Sequence, residues 1–256
     1  MDEQSRLELL RQLFSAAGPM AGVTVGVGDD AAVLAPGGAP LVWTVDGAVD
    51  GLHFRRDWMS FEDVGWKSLS AAASDLAAMG AKPRGVLSAL ILPREFGDDE
   101  LAALARGQAA AAASLGTAVI GGNLARGNEL SITTTVLGEA RAPILRKGAR
   151  AGDVVALAGP VGLAAAGLEL FRQGAARHSS TDPAVEAFLH PKARIAAGLA
   201  AAGVAHAGID VSDGLALDAS RLARESDVGI VFDGPALLAA AGPDLASVAA
   251  LLARDP

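Results

Sequence analysis

Six aspartates in otherwise apolar or glycine-rich surroundings are the residues of this chain best suited to chemistry. Asp29 and Asp30 lie in Val25-Gly-Val-Gly-Asp-Asp-Ala-Ala-Val-Leu34, Asp46 ends Val42-Trp-Thr-Val-Asp46, and Asp75 sits in Ala71-Ala-Ala-Ser-Asp-Leu-Ala-Ala-Met79. Asp210 and Asp213 follow in Gly208-Ile-Asp-Val-Ser-Asp-Gly214. An unpaired carboxylate is expensive in such a setting. Two carboxylates about 5 Å apart repel by roughly 3 kcal/mol at an effective dielectric of about 20. Five or six of them can converge only around cations. Aspartate-built, all-oxygen sites suit Mg²⁺, which in such sites usually carries a phosphorylated substrate. The residues point to phosphate chemistry.

Each signal has a plainer reading beside it. Gly26-Val-Gly-Asp-Asp-Ala31 matches the dinucleotide fingerprint G-x-G-x-x-A. That motif opens a helix whose bare N–H groups face a pyrophosphate, whereas here two carboxylates occupy the loop and Ala31–Leu34 reads as a strand. A metal-binding glycine turn and a surface turn with two solvated acids stay level on this motif alone. Asp46 by itself reads as a polar strand end. Asp75 lies among small apolar residues where an exposed helix face would carry lysine or glutamate, so a functional reading is favoured there. Asp210 and Ser212 share one side of an extended segment, and Asp213 doubles as a helix N-cap. Gly121-Gly-Asn123 reads as a turn whose amides could approach a phosphate, a weak signal. His53 alone reads as an ordinary packed histidine, and His178, His190 and His206 have no ligand-like spacing.

The elements that must position these residues are legible from periodicity. Leu7, Leu10, Leu13 and Phe14 predict an amphipathic helix over 3–17. Short apolar or β-branched runs predict strands at 41–46, 85–92, 117–121 and 130–138. Helices are expected at 60–79 and at 98–115, the second opened by Asp98, Asp99 and Glu100. The interval 139–152 breaks the pattern and is the expected domain junction. Beyond it the sequence predicts strands at 153–158, 207–211 and 228–232, with helices near 162–173, 183–203 and 214–226. Strands and helices mix throughout, giving an α/β (α+β) fold of two lobes, 1–139 and 140–256.

Composition narrows the partners. The chain has 256 residues, a formal charge of −8, and only four lysines: Lys67, Lys82, Lys147 and Lys192. No basic face for nucleic acid is evident. An anionic substrate would be repelled unless metal ions reverse the local field. Alanine supplies much of the mean hydropathy of +0.36, and the most apolar run, 195–205, is too short and weak to span a membrane. The acidic N-terminus shows no export signal. The absence of cysteine removes disulfides and thiol catalysis, and is compatible with a reducing cytoplasm.

Taken in order, Gly28-Asp-Asp-Ala-Ala-Val-Leu34, Thr44-Val-Asp46, Gly51-Leu-His-Phe54, Ser74-Asp-Leu-Ala-Ala-Met-Gly-Ala81, Gly121-Gly-Asn123, Arg146-Lys-Gly-Ala-Arg-Ala-Gly-Asp153 and Ile209-Asp-Val-Ser-Asp-Gly-Leu215 resemble the thiamine-monophosphate kinase family. That family belongs to the aminoimidazole-ribonucleotide-synthetase-like superfamily. The resemblance implies direct in-line transfer of the ATP γ-phosphoryl group onto thiamine monophosphate, with Mg²⁺ as cofactor. It implies Asp30, Thr44, Asp46, Asp75, Asp210 and Asp213 as Mg²⁺ ligands; Val45 stands where the family commonly carries a hydroxyl residue, so a metal contact there would be through the backbone. Gly122, Asn123, Arg146 and Ser212 would meet ATP, and His53 would lie beside the thiamine phosphate. Asn123 stands where the family commonly carries aspartate, so it could ligate the metal without charge. The N-terminal mixed sheet is expected to pair with its twin in a homodimer. The C-terminal α/β lobe is expected to lack the family's closing segment. The competing expectations are a non-catalytic ATP–Mg²⁺-binding homologue, or another ATP-using member of the superfamily such as a selenophosphate synthetase or a hydrogenase-maturation enzyme.

Overall fold

Small side chains let one long helix be buried on several sides at once, and the fold is arranged about it. A computed structural model describes residues 2–16, 18, 20–27, 31–174 and 182–240. In chain order its elements are α1 (Glu3–Ser15), β1 (Val23–Val25), β2 (Val33–Leu34), β3 (Leu41–Val49), α2 (Phe61–Ala78), β4 (Lys82–Leu92), α3 (Asp98–Ser114), β5 (Val119–Arg126) and β6 (Ser131–Glu139). Helices α4 (Leu163–Arg172), α5 (Pro183–Leu189), α6 (Ile195–Ala201), α7 (Leu215–Ser226) and α8 (Gly234–Ala240) follow. The central helix α2 starts at a reciprocal cap: Ser60 Oγ accepts the Asp63 N–H at 3.1 Å and Asp63 Oδ2 accepts the Ser60 N–H at 2.8 Å. A Cβ on Gly65 would stand 2.1 Å from the Leu104 carbonyl of α3, and one on Gly198 of α6 would stand 1.9 Å from the Ala77 carbonyl. Glycine at these crossings is what lets α3 and α6 lie directly on α2.

The sheet runs β3-β6-β4-β5, parallel only between β4 and β5. Its inner face packs Val42, Val86, Leu90, Ile132 and Val136 beneath the helices, all buried. The alternate residues face outward, and there Trp43, Val45, Leu87 and Ile91 stay exposed, Trp43 to 68%. Open apolar faces of this kind commonly mark interaction surfaces.

The N-terminal expectations hold within a few residues at the element ends, except that the strand expected at 117–121 runs on to Arg126. The C-terminal ones divide. Helices at 163–172 and 215–226 form, but the helix expected over 183–203 is two, because Pro191 disfavours helix at His190 and cannot donate within one. The strands expected at 153–158, 207–211 and 228–232 pair with no neighbour among the described residues. An apolar run becomes a strand only when a ladder is available, and Val154 and Val231 are 91% and 93% exposed. Ala31–Leu34 is reduced to the two-residue β2. Gly121–Asn123 is no turn but the middle of β5.

Side chains from α2 fasten the α4–α5 pair. His190 bridges Asp63 Oδ1 (2.8 Å) and Glu186 Oε2 (2.9 Å). Trp66 Nε1 donates to the Pro191 carbonyl at 3.0 Å. The Lys67 ammonium donates to the Phe188 carbonyl at 3.0 Å and lies 3.6 Å from the Phe188 ring centroid. Burial pushes Lys67 down to about 8, against the pull of ring and carbonyl. Hydrogen bonding to Asp63, then to Glu186, outweighs partial burial and raises His190 to about 9. Further on, Asp218 in the first turn of α7 is 1% exposed. Its Oδ2 accepts the N–H groups of Ser212 (3.0 Å), Asp213 (3.0 Å) and Gly214 (3.2 Å), and its Oδ1 meets Arg221 at 2.8 Å.

Two predictions follow from these contacts. A histidine pKa raised on folding adds stability fully present below about 6.5 and lost as pH climbs towards 9. Relative to His190→Gln, the native chain should be more stable by about 2 kcal/mol at pH 6, after discounting for solvent screening, with the gap shrinking by pH 9.5. A gap in thermal unfolding that is constant with pH would reject the imidazolium bridge. Asp218→Ala should cost about 3 kcal/mol in urea unfolding, since three N–H groups and a guanidinium lose one acceptor, with Asp218→Asn milder. Equal, small losses in both variants would show that the carboxylate does not hold the loop.

Candidate active site

The last turns of α2 carry two adjacent polar residues, and each reaches a different part of the chain. Thr44 Oγ1 on β3 donates to Asp75 Oδ2 at 2.5 Å. Ser74 Oγ donates to Asp210 Oδ2 at 2.6 Å. Successive helix positions point about 100° apart, so one helix gathers a strand residue on one flank and the 208–214 loop on the other. Three of the predicted ligands, Thr44, Asp75 and Asp210, are thus drawn together through Ser74, to which the sequence reading gave no role.

Asp46 lies two residues beyond Thr44 and on the same face of β3. Its Oδ1 accepts the Gly47 N–H at 2.8 Å and the residue is exposed. The ladder sets Asp46 opposite Thr134, Thr134 opposite Ser88, and Ser88 opposite Gly122. A register shift in β5 just before the glycines turns Gly122, rather than Gly121, to this face. A Cβ on Gly122 would stand 1.9 Å from the Ser88 carbonyl, so glycine is required there by backbone approach. Val45 and Asn123 point to the opposite face of the sheet and are exposed.

The remaining predicted residues sit around this centre less tightly. Asp213 pairs with Arg221 at 2.5 Å instead of turning towards Asp210. Ser212 is exposed, its N–H held by Asp218. Arg146 is exposed, and its carbonyl accepts Ser226 Oγ at 2.9 Å while the Gly148 and Ala149 N–H groups both donate to that oxygen at 3.2 Å. Ser226 therefore shapes the 146–149 loop. His53 is exposed, not packed, and its Nδ1 accepts the Val49 N–H at 3.1 Å, which leaves the proton of the neutral ring on Nε2. The loop carrying it borders an open cavity of about 360 Å³ lined by Asp50, Gly51, Arg55, Arg56 and Asp57. Asp29 and Asp30, like His178, lie outside the described residues.

The donor set is all oxygen, three carboxylates and a threonine hydroxyl, and beside it the buried Thr134 Oγ1 has no hydrogen-bond partner among the described residues. That chemistry fits a hard cation such as Mg²⁺. Among the described residues no three acidic or imidazole side chains are close enough to hold an ion by themselves. Sequence reasoning missed Ser74, Asp218, Arg221 and Ser226. Only Asp218, an acid inside Leu215-Ala-Leu-Asp218, carried a signal of the same kind as Asp75.

Comparison with known proteins identifies the family. Residues 28–140 match the AIR synthase related protein, N-terminal domain, and residues 150–249 match the corresponding C-terminal domain. The thiamine-monophosphate kinase of Mycobacterium tuberculosis is 36% identical over 237 residues, covering 91% of this chain and 70% of that protein. The crystal structure of thiamine-monophosphate kinase from Stenotrophomonas maltophilia superposes with a TM-score of 0.78 at 32% identity, covering 92% of this chain and 82% of that one. The structure of AaThiL complexed with AMPPCP and TMP gives a TM-score of 0.71 at 30% identity, covering 88% and 70%. On identity and coverage together, the chain belongs to the thiamine-monophosphate kinase family of phosphotransferases.

Proposed function

We propose that this chain transfers the γ-phosphoryl group of ATP directly onto the phosphate of thiamine monophosphate, forming thiamine diphosphate and ADP. The observation that carries the reading is the pair of bonds, Thr44–Asp75 and Ser74–Asp210, that draws oxygen donors from the N-terminal sheet and from the C-terminal loop to one helix end. An AMPPCP- and TMP-bound relative with a TM-score of 0.71 supports both substrates. In the step, an acceptor phosphate oxygen attacks the γ-phosphorus as the bond to the bridging oxygen of ADP breaks. Both reactants are anions, so the barrier is dominated by bringing phosphate against phosphate. Mg²⁺ bound at the site would offset that charge and align the oxygens. Asp30, Thr44, Asp46, Asp75, Asp210 and Asp213 would hold it, with the Val45 carbonyl as a weaker donor, whereas the Asn123 amide expected to join them is on the other face of the sheet.

The chain's other residues orient the reactants. Gly122 allows close approach at the β5 edge, while Arg146 and Ser212 flank the donor nucleotide. With Nδ1 taken by the Val49 N–H, the Nε2–H of the exposed His53 would donate to an acceptor phosphate oxygen. Thiamine monophosphate carries a cationic ring as well as a phosphate, and the mixed acidic and basic lining beside His53 suits both. Two lobes, 1–139 and 140–256, fit the two family matches on either side of that junction. No described helix is long and apolar enough to cross a membrane. The open sheet face bearing Trp43, Val45, Leu87 and Ile91 supports a homodimer closed by sheet-on-sheet packing.

Thiamine diphosphate formation by the chain, with Mg²⁺ titrated and then removed by EDTA, tests the reading. Metal-dependent product is expected, and Asp75→Asn should lower the rate by at least about 100-fold. ATP–Mg²⁺ binding without product would favour a binding protein, and full turnover by folded Asp75→Asn would remove that ligand. Sedimentation should show a dimer at micromolar concentration and a monomer for Trp43→Glu. A monomeric native chain would refute the pairing.

A further inference from the structure

Thr134 is 1% exposed, yet its Oγ1 is buried with no hydrogen-bond partner among the described residues. No other described residue has a buried side-chain oxygen or nitrogen in that state. Its place in the ladder is informative. Residue 134 of β6 lies directly opposite Asp46 of β3 on one side and Ser88 of β4 on the other. Directly paired side chains stand on one face, with Cβ atoms about 5 Å apart.

The neighbours differ in what they can accept. Ser88 Oγ is engaged with the Gln108 carboxamide at 2.9 and 3.0 Å. Thr44, on the same face of β3, directs its hydroxyl to Asp75. The Asp46 carboxylate takes only the N–H of its own neighbour, Gly47, among the described residues. Packing alone does not account for a threonine at 134. Valine would fill the same volume without burying an orphaned hydroxyl, which is costly to leave unpaired.

We infer that Thr134 is a further positioning residue of this site: its buried hydroxyl orients the Asp46 carboxylate when a divalent cation is bound there. The inference rests on the reading of the centre as an Mg²⁺-dependent phosphotransferase site. A ligating carboxylate is held in its productive orientation by hydrogen bonds from outside the ligand set. Loss of such a partner typically weakens metal binding about 10- to 100-fold. Thr134 supplies that partner from the sheet itself, where the register fixes it. Asp46, on the edge strand β3, has no side-chain hydrogen bond from a helix among the described residues.

Mn²⁺ serves as the probe, with free ion followed by its paramagnetic signal, on the full 256-residue chain. Thr134→Val should weaken Mn²⁺ binding at least about 10-fold, while the thermal midpoint holds or rises as the orphaned hydroxyl is removed. Thr134→Ser keeps the hydroxyl and should restore native affinity. Equal affinity in native chain and Thr134→Val would overturn the assignment. So would a loss that Thr134→Ser fails to restore, because side-chain shape would then be responsible. If Thr134→Val does not fold, Thr134→Ala and Thr134→Ser give the same contrast, and equal binding by the two overturns it. A native chain that binds no Mn²⁺ removes the metal reading itself, and the role of Thr134 with it.

Discussion

Two neighbouring residues on one helix, Ser74 and Asp75, hold the two halves of the candidate site together. Consecutive helix positions diverge by about 100°, so both can be engaged only if the helix is enclosed on more than one flank. That requirement explains much of the composition. The alanines of α2, and the glycines where α3 and α6 cross it, keep the neighbouring backbones within contact distance. A larger side chain at Gly198 would collide with the Ala77 carbonyl. It would push away the C-terminal segment that presents Asp210. The high alanine content is therefore a condition of geometry, and the weak hydrophobicity of each residue is offset by the closeness of the packing.

An acidic chain that gathers aspartates needs each of them balanced locally. Asp75 and Asp210 are each met by a hydroxyl, and Asp218 by three N–H groups and Arg221. Arg221 also binds Asp213, so this one guanidinium serves two carboxylates five residues apart in sequence. A cation at Asp210 would compete with Arg221 for Asp213, while Asp218 is fixed by its backbone partners whichever way Arg221 turns. The loop thus keeps its shape independently of whether Asp213 joins the ligand set.

The N-terminal elements were legible because each signal there is local. Period-two alternation at 130–138, period-3.6 spacing in α1 and acids at the start of α3 all act within a few residues. Asp75 was legible for the same reason, a carboxylate among alanines. The C-terminal strands were not, because an apolar run such as Val154–Leu157 has no intrinsic state until a neighbouring strand is present. Gly121–Gly122 misled in the opposite sense: double glycine signals a turn, whereas here it answers the approach of the β4 backbone. His53 read as a core residue, although its exposure depends on a loop closed by its own ring nitrogen. Ser74 and Ser226 carry no local signal at all, since their partners lie 136 and 80 residues away.

The sheet contributes precision that the helix cannot. Asp46, Thr134, Ser88 and Gly122 form a single row across four strands, and a slip of one residue in any strand would send its member to the outer face. The buried Ser88–Gln108 pair ties this row to α3, and the apolar residues above and below it, Val86 with Val136 and Leu90 with Ile132, lock the register by burial. The β5 shift before Gly121 brings Gly122 into the same row. Asp46, proposed to face a cation, and Gly122, proposed to meet the nucleotide, are therefore set by one hydrophobic pattern, although they lie on opposite edge strands. A core substitution that changed the register would move both together, and a site built this way tolerates change in its loops better than change in the strands beneath it.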